Sequence, residues 1–136
     1  EYVKDFIKNK VIDLLLKILE KSREKENQQI ILNCLVCLES VCYDEDGVKY
    51  LSEKYISGIL MDIMQDLEKD PEISKFCFKI LKVFLSKNLE SNYKKLNLEM
   101  LVQLMIDSQK KYYSYVDVLI SINDLAVVLI NNITDN

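Results

Sequence analysis

This 136-residue chain predicts an all-α stack of helical repeats, on three observations. A six-residue block occurs three times: Leu14-Leu15-Leu16-Lys17-Ile18-Leu19, Ile59-Leu60-Met61-Asp62-Ile63-Met64 and Met100-Leu101-Val102-Gln103-Leu104-Met105. Each copy is three apolar residues, one polar and two apolar, with 45 residues between the first two copies and 41 between the last two. A period of roughly 20–50 residues marks a solenoid, whose units bury their apolar faces only against their neighbours. Turn chemistry is scarce: 2 Gly and 1 Pro cannot serve a series of tight strand connections. Between the blocks, apolar residues recur three and four apart, the helical period.

Composition narrows the function classes. Hydrophobic residues make up 49% of the chain, too many for a disordered tail. A net charge of −4 argues against a nucleic-acid binder, which needs a basic surface for phosphate. No apolar run reaches the ~20 residues of a membrane span, so membrane insertion is not expected. The chain opens on Glu1 and is expected to be one domain, residues 1–136, of a longer protein. Four cysteines, Cys34, Cys37, Cys42 and Cys77, fall largely within one predicted helix. That placement suits buried free thiols in a reducing compartment, cytoplasmic or nuclear, rather than a disulfide framework.

Taken in order, residues 1–10 read as a short helix with Val3, Phe6 and Ile7 on one face. Residues 11–22 carry the first block. After the polar break Ser22–Asn27, with Asn27 as N-cap, a third helix runs from Gln28 to about Tyr43. Its apolar residues Ile31, Cys34, Leu35, Leu38, Val41 and Cys42 lie on one side. Tyr43-Asp-Glu-Asp-Gly47 breaks that helix and opens a loop. The plan then restarts: Val48, Lys49 and Leu51 stand 45 residues after Val3, Lys4 and Phe6. Residues 56–67 form the next helix, and Asp70-Pro71 starts another, with Asp as cap and Pro at the first helical position. This one runs to about Lys87, with Ile73, Phe76, Ile80, Val83 and Phe84 inward. The last unit reads as a short helix over Leu89–Leu96, a second over Leu98–Ser108 and a third from Lys110 to about Asn131. Val116, Leu119, Ile120, Leu125 and Val128 supply the inner face of that third helix.

A short helix followed by two longer ones, in about 42 residues, resembles the armadillo repeat across nearly the whole chain. Leu98-Glu-Met-Leu-Val-Gln-Leu-Met105 resembles the family's second-helix pattern I-P-x-L-V-x-L-L. Leu119-Ile-Ser-Ile-Asn-Asp-Leu-Ala126 resembles its third-helix pattern L-W-A-L-S-N-L-A. The resemblance implies a right-handed superhelical armadillo/HEAT-like solenoid of about three three-helix repeats, near residues 1–45, 46–88 and 89–136. HEAT-like or irregular helical repeats, and an unrelated bundle, are the alternatives. In armadillo proteins the third helices line a concave groove that holds an extended peptide. The chain has no Trp, and the groove Asn of the family falls on Ser40 in the first unit and Asp124 in the last. A Trp and Asn ladder of the import-adaptor kind is therefore not expected.

Lys75, Lys79 and Lys82 are spaced four and three apart and form a stripe on one helix face. The resemblance implies that this stripe faces the groove, with Asn33, Ser40 and Asp124 as polar neighbours, and meets an acidic protein or peptide partner. The bland alternative is a solvated face, or one paired with Asp117 and Asp124 of the next unit. Cys34-Leu-Val-Cys37 is a C-x-x-C, but it lies inside a helix among Ile31, Leu35 and Leu38 rather than at a helix N-terminus, where a thiolate is stabilised. With no His in the chain, a four-ligand zinc site would need all four cysteines to converge. All four are expected to be buried or half-buried and slow to react. Tyr112, Tyr113 and Tyr115 crowd the start of the last helix, so at least one is exposed. Asp44, Glu45 and Asp46 share a loop without calcium-loop spacing. No acid/base pair, nucleophile or phosphate loop is present, so no enzyme activity, metal or cofactor is expected. The function implied is a protein-interaction scaffold or adaptor segment. A cysteine-based redox or metal sensor, and a structural or dimerisation segment that associates through its exposed ends, are the alternatives.

Overall fold

The computed structural model describes residues 2–25, 27–66, 70–87, 93–94 and 96–134. Eight helices are described: α1 (Tyr2–Lys8), α2 (Val11–Glu24), α3 (Gln28–Val41), α4 (Glu45–Glu53), α5 (Ile56–Asp66), α6 (Pro71–Lys87), α7 (Leu98–Lys111) and α8 (Val116–Thr134). No strand occurs among the described residues. Tyr93 and Lys94 are helical; otherwise the short helix expected over Leu89–Leu96 lies, apart from Leu96, outside the described residues.

Local chemistry sets where the helices begin. The Asn27 side chain accepts from Ile30 N at 3.2 Å, Asp70 Oδ1 from Glu72 N at 2.9 Å, and Asn97 Oδ1 from Met100 N at 3.1 Å. Each such cap satisfies an orphan donor and stabilises its helix by about 1 kcal/mol. Asp44 is a fourth cap, accepting from Asp46 N and Gly47 N. The acidic loop expected over Tyr43–Gly47 is therefore shorter. Glu45 and Asp46 form the first turn of α4, where carboxylates favour the positive end of the helix dipole.

The link from short helix to second helix is built twice, 45 residues apart. Lys10 and Tyr55 both take left-handed conformations, with φ of 59° and 56°. Lys10 N donates to Ile7 O and Leu14 N to Lys10 O, each at 3.1 Å. Tyr55 N donates to Ser52 O and Ile59 N to Tyr55 O, each at 3.4 Å. Two side chains as unlike as Lys and Tyr hold one backbone turn, although left-handed backbone costs a non-glycine residue roughly 1–2 kcal/mol.

Packing follows the same period. The third helices lie side by side in chain order, α3 on α6 and α6 on α8. α1 packs on α4, and α5 meets α7. The buried positions of α3, Ile31, Cys34, Leu35, Leu38, Val41 and Cys42, recur 43 residues later as Ser74, Cys77, Phe78, Leu81, Phe84 and Leu85. They recur 44 further on as Val118, Ser121, Ile122, Leu125, Val128 and Leu129, of which only Val128 is half-buried. The core runs as one apolar layer through all three units. Polar contacts close the rim between the first two. Tyr50 donates to Asp13 Oδ1 at 2.6 Å, Lys54 lies 3.5 Å from the same oxygen, and Arg23 pairs with Asp66.

The inner face of the last helix differs from the expected one. Val116 and Ile120 are exposed, while Val118, Ser121, Ile122 and Leu125 are buried. The helix starts at Val116 rather than Lys110, because the chain turns at Tyr112–Ser114. That turn contains no Gly, Pro, Asn or Asp to announce it.

Candidate functional site

α6 is covered on most of its circumference by Ile73, Cys77, Phe78, Ile80, Leu81 and Phe84, all buried. What remains is one narrow stripe that carries Lys75, Lys79 and Lys82, as the four–three spacing requires. Lys79 is exposed and the other two are half-buried. Phe76, expected to point inward, is half-buried beneath this stripe. Lys75 Nζ and Lys79 Nζ each lie 5.1 Å from the centroid of its ring. Two ammonium groups share one aromatic ring, an arrangement worth about 0.5–1 kcal/mol per cation at exposed sites. Lys75 also reaches Glu72 Oε2 at 3.0 Å. Among the described residues, none of the three pairs with Asp117 or Asp124, and Lys79 and Lys82 have no ion pair at all. The stripe therefore presents more positive charge than its own helix neutralises.

The polar neighbours are spread over the flanking helices. Asn33 and Ser40 are exposed on α3; Asn33 Oδ1 accepts from Gln29 Nε2 at 3.1 Å, and Ser40 Oγ donates to Val36 O at 3.4 Å. Asp124 is exposed on α8. The buried register pairs Ser40 with Val83 and Val127, and Asp124 with Ile80 and Cys37, so Ser40 and Asp124 do not occupy one equivalent position. Ser121 turns inward and donates to Asp117 O at 3.0 Å.

The cysteines divide three to one. Cys34, Cys42 and Cys77 are buried, but Cys37 is exposed. Burial pushes the Cys34 thiol up, with Cys37 adding to the shift. Burial also pushes Cys42 up to about 12, with a smaller contribution from Glu39, and raises Cys77 further still. Such thiols are poor nucleophiles at neutral pH. Cys37 departs from the expected burial: it lies on a face of α3 that no described helix covers, whereas its register equivalent in the second unit, Ile80, is fully buried. No group of three or more His, Cys, Asp or Glu side chains among the described residues could hold a metal ion.

Two features were not visible in the sequence. An apolar groove of about 380 Å3 opens between α7 and α8, lined by Leu98, Val102, Met105, Ile106, Ile122 and Ile130 among others, with no charged residue in its wall. The polar seam of Asp13, Tyr50 and Lys54 joins side chains 37 and more residues apart. Both depend on how helices from different parts of the chain are rotated against one another. Of the crowded tyrosines, Tyr112 is buried in an edge-to-face contact with Tyr115, 5.9 Å between centroids, while Tyr113 is exposed. No helix among the described residues is long and apolar enough to cross a membrane. Compared with known proteins, the chain matches no family model, no curated sequence and no solved structure.

Proposed function

We propose that the protein is a non-catalytic interaction module, an armadillo-like solenoid that binds an acidic partner segment along its third helices. The observation that carries this reading is the stripe of Lys75, Lys79 and Lys82 on the central third helix, with two of its three ammonium groups lacking an ion pair among the described residues. Support for the repeat itself comes from the side-by-side third helices and from the turn built twice at Lys10 and Tyr55. An extended acidic peptide would lie across α3, α6 and α8, its carboxylates on the lysines and its backbone near Asn33, Ser40 and Asp124. Three buried thiols with raised pKa values suit a reducing compartment, cytoplasmic or nuclear.

A glutamate-rich peptide titrated against the wild type and against the triple variant Lys75→Glu, Lys79→Glu, Lys82→Glu tests the reading. Exposed pairs contribute at most ~1 kcal/mol each, so the variant should bind roughly tenfold to a hundredfold more weakly. The difference should shrink at high salt. Equal binding by a folded triple variant, or no binding by the wild type at low salt, overturns the proposal.

A further inference from the structure

The junction between the first two units is built differently from the next one. α5 meets α7 directly, and the hollow beside that contact, about 270 Å3, is lined by Met64, Gln65, Met100 and Gln103 with one aspartate, Asp107, and one lysine, Lys111. α2 and α5 instead face each other across a larger cleft of about 460 Å3. Its floor is apolar: Leu19 and Ile63 are fully buried, and Leu16 and Ile59 are half-buried. Both ends are bridged. In the first turn of α2, Asp13 accepts from Tyr50 at 2.6 Å and lies 3.5 Å from Lys54 Nζ. In the last turn, Arg23 pairs with Asp66 and lies 4.0 Å from Asp62. These ionic side chains are all partly exposed, so the bridges stand at the rim rather than on the floor. Asp13 and Arg23 are separated by about 15 Å of helix. The cleft is therefore a bounded slot, closed at both ends to a polypeptide running through it.

The rim is unevenly charged. Lys10 takes the first left-handed turn and Lys54 immediately precedes the second, so both stand at one end of the slot. The hydrogen bond from Tyr50, followed by the charges of Lys54 and Lys10, holds the Asp13 carboxyl below the usual carboxylate range. One carboxylate thus faces two ammonium groups, and Lys17, one turn further along α2, adds a third. Lys10 and Lys17 are exposed and form no ion pair among the described residues. At the other end, Glu20 and the pairing of Arg23 with Asp66 leave no positive excess.

We propose that the slot between α2 and α5 binds a single-chain anionic amphiphile of the fatty-acid class, its carboxylate at Lys10, Lys17 and Lys54 and its acyl chain over Leu16, Leu19, Ile59 and Ile63. An apolar lining with a few polar groups at one end, in a volume of several hundred Å3, is the form of a small-ligand site. The negative head offsets the positive excess, and an acyl chain no longer than about 15 Å fits between the bridges. The site is independent of the lysine stripe, which lies on α6.

Calorimetric titration of the 136-residue chain with decanoate, below its micellar concentration, tests the proposal. Binding should saturate at one decanoate per chain. Hexanoate, with the same head and less chain to bury, should bind at least about tenfold more weakly. Decyltrimethylammonium, with the same chain and the opposite charge, should not bind. The double variant Lys10→Gln, Lys17→Gln, at exposed positions, should bind decanoate about tenfold more weakly with an unchanged circular dichroism spectrum. Leu16→Phe fills the slot without adding charge and should block it; Ile59→Phe serves if Leu16→Phe does not fold. Val102→Glu, at the uncharged groove between α7 and α8, should leave decanoate binding unchanged, as should the triple lysine variant of α6. The triple variant reads the stripe and the double variant reads the slot, so the two proposals fail separately. A wild type that takes up no decanoate, equal binding by the double variant or by the folded filled-slot variant, hexanoate or the cationic probe bound as tightly as decanoate, or binding lost on Val102→Glu each overturns the proposal.

Discussion

The first and second units share one plan of three helices, the same left-handed turn and nearly the same pattern of apolar residues, yet they are buried differently. Ile63 is inaccessible and Ile18 is not; Ile80 is inaccessible and Cys37 is not. The helices of the two units are alike, so the difference comes from the neighbours. In a stack, exposure is a property of rank as well as of sequence. A residue type such as Ile at helical spacing says that a face is apolar, while the number of units above and below says whether it is covered.

The largest expected effect breaks this comparison directly. Ile63→Asp places an unpaired carboxylate where no water reaches, at a cost of about 4 kcal/mol or more, and should abolish cooperative thermal unfolding near the wild-type temperature. Ile18→Asp, the same change one unit earlier, should stay within about 1 kcal/mol of wild type. Equal destabilisation by the two would show that something covers the first unit. The thiols should separate next. At neutral pH, Cys37 should alkylate at the rate of a free thiol, and Cys77 only as fast as the fold opens, a gap of several orders of magnitude. Four thiols reacting together would contradict the burial.

Glycine sharpens the comparison further. Gly47 stands 45 residues after Tyr2, an exposed residue. At Gly47, by contrast, an added Cβ would lie 2.3 Å from Val41 O, at the end of the preceding unit's third helix. Gly47→Ala should cost about 2 kcal/mol in denaturant unfolding, because backbone rather than a flexible side chain blocks the methyl group. Gly58, on the open side of α5, has nothing within 4 Å, and Gly58→Ala should raise stability by about 1 kcal/mol. The smallest effect is common to both units. Lys10→Gly relieves the left-handed strain but loosens the unfolded chain, and should stabilise by less than about 1 kcal/mol in the same assay.

Much of the fold was legible because it rests on local chemistry. Asn27 and Asp70 are capping residues standing immediately before apolar-periodic runs, and Pro71 fits only a first helical turn. The lysine stripe was legible because three positions on one helix share a face by geometry alone. What escaped depends on contacts between distant segments. Phe76 looks like a core residue in one dimension and serves instead as the half-buried base of two lysines. The last helix is apolar on nearly every side, with Val116, Ile120, Val127 and Ile130 all exposed, so its periodicity could not select a face. Ser40 and Asp124 looked equivalent by motif, and the buried register separates them.

The paired turns at Lys10 and Tyr55 act as a phase setter. A helix advances about 100° per residue, so one residue inserted after Lys10 would rotate every side chain of α2 by that angle and aim Ile12 and Leu19 away from the core. A substitution there, even from Lys to Tyr, leaves the angle untouched. The junction therefore constrains length rather than identity. A register kept in this way survives the loss of every shared letter at the junction, and it breaks at a single insertion.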